Sequence, residues 1–193
     1  MTKKDKRILA GFITRTGMYI QPNDQNNIIS FIQGYEIGKS SKYEFTESLK
    51  KLLIEKYKIK YDAYGWPGQI RRLSEKQSLS WIVTFKKIAL EILLEPDTVD
   101  KEMSKIIRTK LTGLLHWINP SGDSYFNETW KDEWLALVSV KSKWFKHLWT
   151  DKEYKIILLI DKEILSNRMF ENKKHKIPTS LLVKYKNEFT LLY

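Results

Sequence analysis

Apolar residues that recur at helical spacing constrain the fold of this chain more than any other feature. One segment opens with Ser41-Lys42-Tyr43-Glu44, which fits a capping box, and apolar side chains then recur every three or four positions up to Tyr57. Another opens with Ser74–Gln77, a second box of this kind, and ends before Pro96, since the residue before a proline is disfavoured in a helix. Both segments are therefore predicted to be helices.

A third segment follows directly and has the same organisation. Asp97 or Thr98 is predicted to cap it, and its apolar stripe runs from Val99 to Ile118 before the turn cluster Asn119-Pro120-Ser121-Gly122. Three consecutive segments of this kind predict a helical bundle.

Shorter signals extend the helical prediction along the chain. Asp24 is predicted to cap one helix and Asn127 another, because a short polar side chain can accept a hydrogen bond from the first turn. Trp66-Pro67-Gly68 is predicted to start a helix, since proline is favoured in a first turn. Thr179–Phe189, which follows Pro178, is predicted to form a terminal helix.

Two pieces of the sequence leave helix and strand open. Tyr154–Ile160 is rich in β-branched residues but lies inside a longer stretch that also has a helical pattern, and Met18-Tyr19-Ile20 fits a short extended piece. The predicted fold is therefore mainly α, a single-domain helical bundle over residues 1–193, with a short strand pair as an alternative within it.

Chain length and the absence of cysteine narrow the class of protein. A chain of 193 residues has the length of one ordinary domain, and the lack of cysteine excludes disulfides, thiolate zinc sites, iron–sulfur clusters and a cysteine nucleophile. The N-terminus does not fit a signal peptide, and the longest uninterrupted apolar run, Ile156–Ile160, is far short of the ~20 residues that span a bilayer. We expect a cytoplasmic protein that does not engage a membrane.

The chain is strongly basic, with 34 Lys and Arg residues against 23 Asp and Glu and a formal net charge of +11. Basic residues exceed acidic ones in both halves of the sequence. A field of this sign favours acidic partners, namely nucleic acid, an acidic protein or anionic lipid. The alternative is a lysine-rich background composition.

Motifs for catalysis and cofactor binding are missing from the sequence. The eight glycines form neither a dinucleotide-binding loop nor a phosphate loop. The three histidines, His116, His147 and His175, are too scattered for a zinc-binding pair on one helix. Glu128 and Asp132 share a predicted helix face, but acids in the first turns of a helix are explained by its dipole. We expect no enzyme activity, no metal and no cofactor.

Aromatic and basic residues interleave in two regions, one from Tyr57 to Trp66 leading into Arg71-Arg72, and one over Lys141–Trp149. Exposed rings beside Arg or Lys suit base stacking, and they equally suit protein interfaces. Helical spacing in the second region favours rings in the core with lysines on the opposite face, whereas the loop-like first region has no such periodicity. The predicted partner-binding residues are therefore Tyr61, Tyr64, Trp66, Arg71 and Arg72.

The stretch Arg15-Thr16-Gly17-Met18-Tyr19-Ile20, with the helical segment Ile28–Tyr35 that follows it, resembles a known family. That family is a group of bacterial immunity proteins from polymorphic-toxin and contact-dependent-inhibition systems. Their opening reads approximately Arg-Pro-Gly-Met-Tyr-Leu-Gly, before a helix ending in Phe-x-x-Gly-Tyr. Lys56-Tyr57 and Trp66 are similar to its downstream pattern, whereas Thr16 and Gln21 depart from it at a proline and a glycine position.

The resemblance implies a scaffold role for this motif. Gly17 would take a left-handed turn conformation, Met18 and Tyr19 would pack under the following helix, and Gly34 would permit close helix contact.

The resemblance also implies toxin neutralisation by stoichiometric binding that blocks the toxin's active site or substrate surface. At a charge of +11 the chain would meet an acidic toxin face and would not imitate nucleic acid in a basic cleft. A nuclease is the favoured toxin class because nucleases are frequent in these systems. The expected partner is a cognate toxin domain, with nucleic acid bound only weakly. The alternative is a nucleic-acid-binding protein that uses the same basic and aromatic residues.

Overall fold

The mainly α prediction is confirmed. The computed structural model describes residues 1–39, 43–61, 63–95, 99–118, 128–138, 143–166 and 179–192, and within these ranges the regular elements are helices, with no strand. They are α1 (Lys3–Thr14), α2 (Gln25–Gly38), α3 (Glu44–Glu55), α4 (Gly65–Gln77), α5 (Trp81–Leu93), α6 (Lys101–His116), α7 (Glu128–Leu137), α8 (Lys143–Lys146), α9 (Asp151–Ser166) and α10 (Thr179–Thr190).

Side-chain caps begin several of these helices, as the sequence predicts for Asp24. The Asp24 carboxylate accepts a hydrogen bond from the Asn27 backbone N–H, 2.9 Å away, and this starts α2. Thr2 and Asp5 form a reciprocal capping box at the start of α1, a signal that the sequence analysis missed. The terminal helix predicted over Thr179–Phe189 is α10.

One of the predicted caps is corrected by the structure. Ser74 does not start a helix, because it lies inside α4 and its hydroxyl donates to the Arg71 carbonyl at 2.7 Å. Helix α5 is capped instead by Ser80, whose hydroxyl accepts from the Val83 N–H at 3.2 Å. Asp100 caps α6 by accepting from the Met103 N–H at 3.0 Å. The other predicted caps and the predicted turn cluster, residues 41, 97, 98, 119–122 and 127, lie outside the described residues.

The strand alternative is wrong for both open pieces. Residues 154–160 belong to α9, where Ile157, Ile160 and Ile164 are buried at a spacing of three and four residues, which matches a helix turn. Residues Thr16–Met18 form one 3-10 turn. Burial on one helical face thus outweighs the β-branched composition of the first piece.

The chain divides into two compact units, Met1–Ile106 and Ile107–Tyr193, called unit 1 and unit 2 below. The single-domain prediction stays a prediction. In unit 1, helices α1, α3 and α4 all pack against α5. Helix α5 is apolar over most of its circumference, and its buried apolar residues are Val83, Phe85, Ile88, Ala89, Leu90, Ile92 and Leu93.

A buried carboxylate joins α2 to α3 in unit 1. Glu36 is 5% exposed, and one of its oxygens accepts from the backbone N–H groups of Phe45 and Thr46, each 3.0 Å away. Its other oxygen accepts from the Thr46 hydroxyl at 2.9 Å. Glu36 therefore caps the first turn of α3 from a different helix, where N–H groups have no partner within α3 itself.

Indole N–H groups of α7 are bonded within unit 2. Trp130 Nε1 donates to the Leu114 carbonyl at 3.1 Å, and Trp134 Nε1 donates to Asp161 Oδ1 at 2.8 Å. The two indole rings stack with their centroids 5.4 Å apart. Burial raises the pKa of Asp161 above its ordinary value of 3.8, and the Trp134 N–H opposes that shift.

The second basic and aromatic region, Lys141–Trp149, has its rings in the core of unit 2, so the core alternative is confirmed. Trp144, Phe145 and Trp149 are buried, while Lys143 and Lys146 are exposed. Arg108 lies over the Trp149 ring, 4.9 Å from its centroid, and pairs with Glu153 at 2.6 Å. These rings serve packing and are not offered to a partner.

Across the ranges described, no helix has both the length and the apolar character that crossing a bilayer would require.

We predict that Glu36→Ala lowers the free energy of unfolding by about 1–3 kcal/mol, because it leaves donors at the start of α3 buried without an acceptor. Denaturant titration followed by circular dichroism measures the change. Gln33→Ala is the matched control, since Gln33 is exposed on the same helix. Equal midpoints for the two variants would contradict the capping role.

A second prediction concerns the stability of Asp161→Asn as a function of pH. A carboxyl whose pKa is raised by folding contributes stability at low pH that is lost as the pH rises from its ordinary value towards the folded value. Asparagine does not titrate and keeps an oxygen for Trp134. Asp161→Asn should therefore exceed the wild type in stability at pH 7, and this advantage should vanish below about pH 3.8. Denaturant titrations at both pH values test this, and a less stable variant at pH 7 would show that the charged form is favoured.

Candidate interaction surface

The loop between α3 and α4, which holds the predicted binding residues, is fixed at its start by the end of α3. The Ile59 N–H donates to the Leu53 carbonyl at 2.9 Å, and Lys58 takes a left-handed conformation with φ of 58°. The bond joins residues six positions apart, with the left-handed Lys58 between them, and ties the loop back to α3. The Ile59 side chain is buried, so the loop enters the core at that position.

Helix α4 holds the same loop from the other side. The buried Gln69 amide donates to the Ile59 carbonyl at 3.1 Å, and Arg72 donates to the Lys60 carbonyl at 3.5 Å. Backbone carbonyls on two consecutive loop residues therefore have side-chain donors from α4. The loop is therefore anchored at Ile59 and Lys60, just before Tyr61.

Four of the five predicted binding residues are exposed. Tyr61 is 58% exposed and Tyr64 is 75% exposed, and the side chains of Arg71 and Arg72 are also exposed. Arg72 bonds the carbonyl of Lys60, the residue before Tyr61, and Lys50 Nζ lies 5.9 Å from the centroid of the Tyr61 ring. We call Tyr61, Tyr64, Arg71 and Arg72 the Tyr–Arg surface. It offers two aromatic faces, two phenol groups and two permanent positive charges, which suits binding.

Trp66 is corrected from a binding residue to a core residue. It is 5% exposed, and its ring lies 5.6 Å from that of Phe85 and 6.0 Å from that of Trp81. It shares a buried face of α4 with Ile70 and Leu73, at helical spacing, and this face packs against α5. The predicted helix start at Trp66-Pro67-Gly68 agrees with α4, which begins at Gly65.

Tyr57 and Lys56, which also match the family pattern, are bound to one carboxylate of α5. The Tyr57 hydroxyl donates to Glu91 Oε2 at 2.7 Å, and Lys56 pairs with the other oxygen of Glu91. Burial, followed by the hydrogen bond to Glu91, raises the pKa of the Tyr57 phenol well above its ordinary value. This pair fastens the end of α3 to α5 and positions the loop.

The scaffold role expected for the motif at Arg15–Ile20 is only partly found. Tyr19 packs edge-on against Phe12 and Phe31, at 5.7 and 6.1 Å, as expected. Met18 is 76% exposed and does not pack under α2. Gly17 is not left-handed, and a Cβ added at Gly34 would meet nothing within 4 Å, so neither glycine is needed for the reason expected.

The sequence did not predict a cavity of about 200 Å³ that lies in unit 1. Its lining includes Asp5, Tyr35, Glu36 and Lys39. The Tyr35 hydroxyl donates to Asp5 at 2.8 Å, Lys39 pairs with the same carboxylate, and Glu36 is bonded to the start of α3. The spacing of Thr2 and Asp5 was the available sequence signal, because it is typical of a capping box. It could not reveal that Tyr35 of α2 also bonds Asp5. The carboxylates of Asp5 and Glu36 are therefore already bonded. Within the described ranges no cluster of three or more His, Cys, Asp or Glu side chains could hold a metal ion.

Gly65, the first residue of α4, has a φ of +62°, a left-handed conformation that glycine adopts more readily than other residues. We predict that Gly65→Ala lowers the free energy of unfolding by about 1–2 kcal/mol, the cost of a left-handed non-glycine residue. Gly34→Ala is the matched control, because Gly34 lies in a helix with open space around it and should gain up to about 1 kcal/mol. Chemical denaturation of both variants tests the pair, and a stabilised Gly65→Ala would contradict this account of the loop.

Comparisons with known proteins find no relative: no family model matches the chain, no curated protein matches it, and no solved structure matches it.

Proposed function

We propose that this protein is an immunity protein, which binds a cognate bacterial toxin domain stoichiometrically and neutralises it. The observation that carries the proposal is the Tyr–Arg surface, which consists of exposed Tyr61 and Tyr64 before α4 and exposed Arg71 and Arg72 within α4, after a loop anchored at Ile59. The proposal includes a cytoplasmic location and the absence of enzyme activity.

The residue types of the Tyr–Arg surface support a protein partner. Tyrosine and arginine are enriched among the residues that dominate protein interfaces, because each combines a large contact area with directional hydrogen bonds. Two tyrosines with few rotatable bonds also lose little conformational entropy on binding. The anchored backbone adds to this effect, since a loop held at Ile59 and Lys60 has less freedom to lose.

Charge supports an acidic face on that partner. The chain carries a net charge of +11, and the Tyr–Arg surface contributes two guanidinium groups to it. A field of this sign accelerates encounter with an acidic protein. An acidic inhibitor could imitate nucleic acid in a basic nuclease cleft, but a basic one is suited to an acidic toxin face or to a site away from the cleft.

The resemblance to immunity proteins supports toxin neutralisation in particular. It is carried by Arg15–Ile20 and by the helix that contains Gly34 and Tyr35. Tyr19 and Phe31 of this region pack together, and Phe31 also stacks on Phe12. The motif therefore has a structural role in this aromatic cluster.

The decisive experiment measures binding to three ligands in parallel: the toxin domain encoded beside this gene, duplex DNA and single-stranded RNA. We expect tight binding to the toxin with a shallow salt dependence, because buried anchors hold a protein complex and charge acts mainly on the association rate. Nucleic acid should bind weakly and lose about a thousandfold in affinity between roughly 50 and 200 mM salt. Co-expression with the toxin should restore growth.

The variant Arg71→Glu/Arg72→Glu should weaken toxin binding by about tenfold or more, equivalent to about 1.4 kcal/mol. Lys3→Glu/Lys4→Glu is the matched control, because it changes the net charge by the same amount at exposed positions of α1. Equal losses in both variants would assign the effect to overall charge. Nanomolar nucleic-acid binding at physiological salt, without affinity for the toxin, would replace the immunity proposal by the nucleic-acid alternative.

A further inference from the structure

Helix α9 in unit 2 has an outward face made of leucines and lysines. Its buried residues include Ile157, Ile160 and Ile164, and its opposite side is exposed. The leucines of that side are 38%, 40% and 60% exposed. Its members, which we call the Leu–Lys face, are Lys152, Lys155, Leu158, Leu159, Lys162 and Leu165.

The order of these side chains around α9 is specific. At about 100° per residue, the six positions fall within an arc of about 140°, which also contains the exposed Asp151. Lys155 and Lys162 lie at the middle of the arc, with Leu158 and Leu165 on one side and Leu159, followed by Lys152, on the other. In the part of the chain that the structure describes, Lys155 and Lys162 form no ion pair. These two lysines therefore lie between leucines, and Asp151 is the acidic residue within the arc.

We propose that the Leu–Lys face docks an acidic amphipathic helix of a protein partner. Lys155 and Lys162 are seven residues apart, which is two helical turns, so carboxylates at the same spacing on a partner helix would lie opposite them. Apolar side chains on both sides of those carboxylates would cover Leu158, Leu165 and Leu159. Grooves and helix faces of this type are a recurrent mode of peptide recognition. This inference does not depend on the function proposed for the Tyr–Arg surface.

The position of the lysines disfavours a lipid surface and a second copy of this chain. A flat membrane that buried the leucines on both margins would also bury the charges between them, whereas amphipathic membrane helices keep their lysines on the polar side. In a symmetric dimer across this face, Lys155 and Lys162 would face the same residues of the other copy, and like charges repel. An acidic helix satisfies both the charges and the leucines.

The test uses the full chain and two stapled helical peptides of about 16 residues, a length that needs a staple to stay helical alone. One peptide carries two glutamates seven residues apart between leucines, and the other carries lysines at those two positions. Fluorescence anisotropy should show binding of the acidic peptide with a Kd on the order of micromolar and no binding of the basic one.

Charge reversal in the protein should exchange this preference. Lys155→Glu/Lys162→Glu should weaken the acidic peptide about tenfold or more and create binding to the basic peptide. Lys3→Glu/Lys4→Glu is the control for net charge and should retain the wild-type preference. Leu158→Ser/Leu165→Ser should weaken the acidic peptide without creating affinity for the basic one. All of these side chains are exposed, so circular dichroism should show unchanged helix content.

Three outcomes would overturn the proposal. The first is that the acidic peptide binds the wild type and Lys155→Glu/Lys162→Glu with the same affinity, or binds neither protein. The second is binding to vesicles of phosphatidylcholine with phosphatidylglycerol that Leu158→Ser/Leu165→Ser abolishes, without peptide binding, which would assign the face to lipid. The third is dimerisation of the wild type in sedimentation that the same leucine variant abolishes, which would assign it to a second copy.

Discussion

Unit 1 depends on the burial of helix α5 among α1, α3 and α4. Because α5 is apolar around most of its circumference, it cannot lie at a surface, and α1, α3 and α4 cover it. Each then keeps one polar side outward. The loop between α3 and α4 has exposed side chains because of this arrangement. The two helices that flank the loop, α3 and α4, both pack against α5.

The same burial explains why two tyrosines and a tryptophan of one short region have different roles. Trp66 lies on the side of α4 that packs against α5, and its ring packs with that of Phe85. Its large ring therefore supports the loop from the core. Tyr61 and Tyr64 precede that helix on a backbone that Gln69 and Arg72 hold at its carbonyl groups. An exposed ring on an anchored loop is a better contact than one on a mobile loop, because less entropy is lost when a partner binds.

Local sequence signals predicted elements that depend on local physics. The cap at Asp24, the helix over 179–189 and the core position of Trp144 and Phe145 all follow from side-chain spacing within one segment. Ser74 and Ser80 are both serines that could cap a helix, and the choice between them depends on the packing of α4 against α5, which no local pattern contains. Trp66 could not be separated from Tyr61 because the loop has no periodicity. Its place in the core is set by Trp81 and Phe85, more than a dozen residues away.

Excess charge acts in two distinct ways in this protein. The Tyr–Arg surface combines exposed cations with exposed aromatic rings that have both an apolar face and a hydroxyl, which suits a partner with acidic and apolar groups together. On α9, Lys155 and Lys162 lie between Leu159 on one side and Leu158 and Leu165 on the other, so the charged and the apolar contacts are separated in space. A lysine-rich background would distribute its charges without regard to the apolar side chains. The placement of Lys155 and Lys162 between leucines distinguishes this surface from a lysine-rich background. Each exposed leucine costs hydration free energy, which a complementary partner would recover by covering it.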